Sequence, residues 1–339
     1  MRKLFILVAL MLSTMTMEAQ EIVTRAEIQT RIDYMQEYIG KDAVGPNSGF
    51  KGRYLLFRLD GNITEGLSYS YRQRINKPAV SSSVFDATDW LMVNYSFGPW
   101  GLSAGKQVVA IGGYEYDRSP VDLFFCSEYW NNIDCFQFGV SGSYTFSEGN
   151  DMLTFQVSES PFRRAAANPL NENMLAYNLM WTSSHDWLKT IYTANTMEYT
   201  PGKYIYYLAL GNRFEFGRFK CELDLMNRTS DLKGGSMDFS VIGEVAWSPV
   251  DALNVFVKAS YDYNDDVMAD LCVAPGTDIF RAGAGVEYFP LKDNKNLRLH
   301  LNCCYTDGKC ASTTVLKPHQ TIIDAGVTWK LNLLNIKRR

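Results

Sequence analysis

The chain has 339 residues and a formal charge of −4, from 33 Lys and Arg against 37 Asp and Glu. That balance offers no basic field for a nucleic-acid partner. Aromatic residues make up 14% of the chain, 20 Tyr and 19 Phe among them, a load that suits rings placed at two membrane interfaces.

Residues 1–19 read as a secretory signal peptide. Arg2 and Lys3 precede an apolar run from Leu4 to Leu12, and small and polar residues lead to a cut after Ala19. The run is too short for a membrane helix, which needs about 20 apolar residues, and nothing later is long enough either. Residues 20–339 are then read as one domain.

From there the chain alternates with period two, the pattern of strands with unlike faces. The first strand is expected at Glu27 to Tyr34, with Ile28, Ile32 and Tyr34 opposite Gln29, Arg31 and Asp33, and a long loop follows through Gly40 to Gly49. Arg53 to Asp60 and Leu67 to Arg74 come next around a short turn, then a Ser-rich loop through Ser81 to Ser83. Leu91 to Phe97 turns at Gly98-Pro99 into Leu102 to Ile111, where the apolar positions change parity near Lys106, marking a bulge or a misplaced strand end.

The connection from Gly112 to Asn132 is the longest, and it carries Tyr114, Tyr116, Leu123, Phe124, Phe125, Tyr129 and Trp130. So much apolar surface is costly in water, so the segment must pack against something. Strands then continue at 136–146, 153–158 and 175–181, with apolar and polar residues alternating, at a less regular 188–199, and at 204–214 and 219–227 around a short turn. The clearest hairpin is Asp238 to Tyr263, where Val241, Val245, Val255 and Val257 share one face while Glu244, Lys258, Ser260 and Asp262 share the other. Phe280 to Tyr288, Leu297 to Cys304 and Ile323 to Leu333 complete about sixteen strands.

Even-numbered connections are short and odd-numbered ones long, as in barrels with short periplasmic turns and long outer loops. Phe97, Trp100, Phe146, Trp181, Trp187, Phe216, Trp247 and Tyr288 fall beside the short turns, and Tyr71, Tyr199, Tyr204, Tyr263 and Tyr305 at the opposite strand ends. Two aromatic belts and one alternating wall describe an all-β transmembrane antiparallel barrel. Hydrocarbon supplies no hydrogen bonds, so only closure satisfies every strand. About sixteen strands enclose a lumen that wall side chains cannot fill, and the inner wall is then the surface available to residues 112–132.

The runs Gly52-Arg53-Tyr54-Leu55-Leu56-Phe57-Arg58-Leu59-Asp60-Gly61 and Leu102-Ser103-Ala104-Gly105-Lys106-Gln107, with Gly113-Tyr114-Glu115 and Ser119-Pro120-Val121-Asp122-Leu123, resemble the phosphate-selective porin O and P family in its Bacteroidetes-like form. The resemblance implies a sixteen-stranded outer-membrane channel of a Gram-negative bacterium, usually a homotrimer. It also implies that the loop after the fifth strand folds inward, and that an arginine ladder with a lysine binds the anion. Residues 112–132 contain Arg118 and no lysine.

The expected function is diffusion of small hydrophilic solutes and ions, with an anion or phosphate preference. Its partners are outer-membrane lipid and those solutes, with no nucleic acid and no cofactor. Pore-lining candidates are Arg58, Arg72, Arg74, Lys106, Lys220, Glu244, Lys258, Arg281, Arg298 and Lys330. Tyr114, Glu115, Tyr116, Asp117, Arg118 and Asp122 are the candidates on the inward loop. The alternatives are a non-conducting structural or adhesive barrel, an outer-membrane enzyme and a secreted soluble β protein. Of the three histidines, His185, His300 and His319, none is tied by spacing to a Ser and carboxylate set. Seven cysteines with no repeated metal spacing point to no metal, although Cys303 or Cys304 could pair with Cys310.

Overall fold

The computed structural model describes residues 22–77, 84–163, 173–230, 237–265, 273–292, 294–309 and 319–335. The proposed signal peptide, the Ser81 to Ser83 run, Cys272 and Cys310 lie outside them.

Sixteen strands form one closed antiparallel barrel in which each pairs with its sequence neighbours and the first pairs with the last. In chain order they are β1 (Ile22–Ile39), β2 (Asp42–Thr64), β3 (Leu67–Arg74), β4 (Thr88–Phe97), β5 (Trp100–Val108), β6 (Phe136–Phe146), β7 (Asp151–Glu159) and β8 (Leu175–His185). The second half comprises β9 (Leu188–Thr200), β10 (Lys203–Phe216), β11 (Phe219–Thr229), β12 (Asp238–Val250), β13 (Leu253–Asn264), β14 (Thr277–Tyr288), β15 (Leu297–Lys309) and β16 (Gln320–Asn335).

Alternation is what sorts the two faces. Along β13, Val255 and Val257 are exposed outward while Phe256, Lys258, Ser260 and Asp262 are buried inward. Register places Val255 against Val286 and Val257 against Ala284, so the apolar face continues from strand to strand. The outer aromatics also meet across the register: Phe219 stacks on Trp247, and Trp187 on both Phe214 and Phe216. These exposed rings beside the short turns form an interfacial belt.

Two expectations about the connections need correction, and one open alternative is resolved. The first connection is not a long loop through Gly40 to Gly49, because β1 and β2 run on together and turn only at Gly40-Lys41. The ninth connection is equally short, at Pro201-Gly202, so odd-numbered connections are not uniformly long. Both hairpins carry pairing out to the tips, which satisfies backbone groups that a loop would leave to water. Finally, β5 ends at Val108 and pairs without a register shift past Lys106, opposite Leu91 and Phe138. The change of parity there is a strand end, not a bulge.

One hydrophobic core lies inside the barrel. Val109, Ile111, Tyr116 and Tyr129 of the β5–β6 connection pack on the inward residues Ala176, Met197, Ile205, Tyr207, Ala209, Met226 and Ile242. Phe162, Met174 and Val273 join from other connections. Each large side chain so buried contributes about 1.5–3 kcal/mol. This explains why Ile242 stands on a wall face that otherwise carries Ser240 and Glu244.

Candidate pore lining and inward loop

The loop reaches the wall through a contact between glycines. Gly113 has φ +104°, a conformation other residues adopt at a cost. A Cβ on Gly211 of β10 would stand 2.8 Å from the Cα of Gly113. With neither side chain present, the loop backbone lies directly on the strand.

Wall carboxylates then hold the loop backbone. Asp224 accepts from the backbone N–H groups of Tyr114 and Glu115, both at 2.8 Å, at the start of the one-turn helix Tyr114–Asp117. Asp262 accepts from the N–H of Glu128 at 3.0 Å, at the start of the helix Glu128–Asn132. Amide groups of a first helical turn have no partner within the helix, and here the barrel supplies one.

Ion pairs fix the side chains. Glu115 and Lys258 meet at 2.6 Å with both side chains almost fully buried. Burial by itself pushes the Glu115 carboxyl up, but Lys258 and Ser127 together hold it below the usual range. Arg281 pairs with Glu128 at 2.7 Å and donates to the carbonyl of Cys126. Arg118 reaches the wall at Glu244, 2.7 Å away, and at Glu222. Arg298 lies between Asp122 and Glu287, each at 2.9 Å.

A further cluster sits in the wall beneath Phe124. His300 Nε2 is 3.1 Å from Asp324 Oδ1 and 3.2 Å from Asp33 Oδ1. These three residues bring metal-type donor atoms together. Arg31, however, already lies 2.7 Å from Asp33 and 3.3 Å from Asp324, supplying the positive charge the carboxylates require. Phe124 covers the group, its ring 4.6 Å from that of His300 and 4.7 Å from the Arg31 guanidinium.

Among the described residues the loop borders two cavities, of about 560 and 300 Å³, both reached by Arg118 and Asp122. The larger is lined by Arg25, Arg58, Arg72, Arg118 and Lys330 against Glu27, Asp117 and Asp122. The smaller has Arg118, Arg213, Lys220, Lys258 and Arg298 against Asp122, Glu244 and Glu287. Each is lined by five cationic and three anionic side chains.

The sequence candidates therefore separate. Arg58, Arg72 and Lys330 border the larger cavity, and Lys220, Glu244, Lys258 and Arg298 the smaller. Arg281 is buried beneath the loop, and Arg74 borders neither cavity, lying 3.6 Å from Asp89. Lys106 is a correction: it shares the outward parity of Leu102, Ala104 and Val108 and does not line the lumen. The β3–β4 connection covers it from outside, with Lys106 Nζ donating to the Phe85 carbonyl at 2.5 Å and Phe85 packing on Phe138.

On the loop, Tyr116, Asp117, Arg118 and Asp122 face the larger cavity, whereas Tyr114 and Glu115 are buried against the wall. The Tyr114 ring lies 4.0 Å under the Arg213 guanidinium. Burial pushes the Asp117 carboxyl up, opposed by Arg213 and reinforced by Glu222. Burial likewise raises the Cys126 thiol to about 12. Arg25 and Arg213 were not among the expected lining residues. Arg25 could have been found by extending the β1 alternation back from Glu27; Arg213 is an isolated arginine near a strand end, and local pattern does not mark it.

Residues 25–187 match the profile of the family described as phosphate-selective porin O and P. No curated protein sequence matches the chain. Among solved structures, the barrel is similar to the anion-selective porin from Comamonas acidovorans, with a TM-score of 0.66 at 13% identity over 92% of this chain and 100% of that one. OmpT, an outer membrane protein of Vibrio cholerae, gives 0.61 at 13% identity over 93% and 100%. A mutant of the Rhodopseudomonas blastica porin gives 0.57 at 12% identity over 92% and 100%. At these identities the structures establish a shared porin fold, while the family match rests on sequence from β1 through β8. Residues 25–187 thus carry the profile of the phosphate-selective porin O and P family, and the closed sixteen-stranded barrel is that of a porin of the Gram-negative outer membrane.

Proposed function

We propose that the protein is a passive diffusion channel that prefers small anions, narrowed by the loop between β5 and β6, and that it carries out no chemical reaction. The observation carrying this reading is the cationic majority in both cavities that the loop borders. Fixed charge of one sign in a confined lumen raises the local concentration of the opposite ion. The anion selectivity of the Comamonas acidovorans porin and the phosphate selectivity in the family description point the same way.

The apolar outer belt faces outer-membrane lipid in this reading, and the working unit is a homotrimer, as in the trimer form of Vibrio cholerae OmpT. His300 supports a structural and not a catalytic role, since its side chain is fully buried between Asp33, Asp324 and the Phe124 ring.

The test is the zero-current potential of the purified protein in planar bilayers separating unequal KCl solutions. A potential of the sign set by chloride supports the proposal. A potential set by potassium, or no steady conductance, overturns it.

A further inference from the structure

The larger cavity is not lined as a site for a strongly hydrated inorganic ion would be. Leu56 of β2 points inward and is 1% exposed, and Ile111, Pro120, Ile191 and Met180 extend the apolar lining. Trp90 adds a fixed aromatic surface: its indole N–H donates to Ser70 Oγ at 2.9 Å, and the Arg72 guanidinium lies 3.6 Å from the ring centroid.

The cations of this cavity are also partly neutralised where they stand. Arg25 lies 2.7 Å from Glu27, Arg58 2.8 Å from Asp60 and Arg72 2.8 Å from Asp89. A multiply charged phosphate would have to exchange firmly held water for donors already engaged by carboxylates, and it would meet Glu27 and Asp117. A single carboxylate asks less. It can rest near Arg58, whose side chain keeps 30% of its surface exposed, while its apolar body displaces water from the half-buried Trp90 and Met180 side. Apolar area removed from water contributes about 25 cal/mol per Å². A volume of about 560 Å³, lined by apolar groups together with eight charged side chains, lies within the range of small-molecule sites.

We infer that the larger cavity selects monovalent organic carboxylates with an apolar body of benzene-ring size, in preference to inorganic phosphate. This rests on the anion-preferring channel proposed above and adds the class of solute.

The experiment titrates benzoate, acetate and inorganic phosphate against the chloride current of the wild-type channel in planar bilayers. Benzoate is expected to reach half its full effect at a concentration about fivefold below acetate and about tenfold below phosphate. Met180→Asn and Trp90→Asn, each verified as folded by heat-modifiable gel mobility, are expected to reduce the benzoate advantage over acetate to about twofold or less. Phosphate acting below benzoate, or benzoate and acetate acting alike, in a channel that still prefers chloride would overturn the inference and leave the channel reading intact. A potassium-selective channel, or none, would remove the channel reading and this inference together.

Discussion

Lys258 on β13 and Glu115 on the inward loop form an ion pair of 2.6 Å in which neither side chain reaches solvent appreciably. The ammonium also donates to the Phe125 carbonyl at 2.9 Å, so one wall lysine holds two separate parts of the loop. Two buried charges are costly apart and tolerable only together, which makes the loop position a property of the closed barrel and not of the loop sequence.

Removing one partner should therefore be worse than removing both. Lys258→Met leaves a buried carboxylate without its cation and is expected to cost about 3–5 kcal/mol. The double change Lys258→Met with Glu115→Leu should recover much of that loss. Thermal unfolding in detergent compares them, and a single variant as stable as the double would show that the pair does not hold the loop.

Deleting Gly113 to Trp130 should enlarge single-channel conductance several-fold, because the segment occupies the lumen and its removal widens the water path. The deletion also strands Lys258 and Arg281, so the variant should carry Lys258→Met and Arg281→Met to avoid new buried charge. Conductance equal to that of the wild type, in a barrel with normal heat-modifiable mobility, would rule out a narrowing role.

Arg58 and Lys106 provide a paired test of which face carries ions. Arg58→Gln removes a lumen charge and should move the reversal potential toward cations by several millivolts in a tenfold KCl gradient. Lys106→Gln lies outside the barrel wall and should leave the potential unchanged. Equal shifts from the two would refute the placement of Lys106.

Acid should strengthen anion preference through Asp117. Its raised carboxyl gains a proton at a pH above the ordinary Asp range, so the lumen loses a negative charge as pH falls. Asp117→Asn should show the stronger preference already at neutral pH and a flatter pH response. Glu115 shifts the other way: its contribution to stability is complete above the unfolded-state Glu range and is lost only as pH falls through its lower folded value. The loop should stay anchored across the range in which Asp117 titrates, seen as open-channel current without added noise.

The barrel was legible in the sequence because alternation is local. Val255 and Val257 declare an outer face, and Lys258, Ser260 and Asp262 an inner one, with no knowledge of what lies across the lumen. Strand number, the belts beside the short turns and the inward loop all follow from that period and from apolar residues that water would not tolerate. The hairpin tip at Gly40-Lys41 was not legible, since glycines and polar residues there read equally as loop or as paired strand.

Sequence alone determined that this chain closes into a membrane barrel, because each strand carries its own two-faced pattern and hydrocarbon allows no open edge. The tertiary structure decided which charges face open lumen. Arg281 and Arg58 have the same chemistry and both point inward, yet the loop covers the first and leaves the second exposed to the cavity. Lys106 ended outside altogether because strand parity, which sets direction, outweighed its charge once Phe85 supplied a carbonyl to receive it. Pairing across the lumen joins residues more than a hundred positions apart, as Glu115 with Lys258, and no local period encodes that distance.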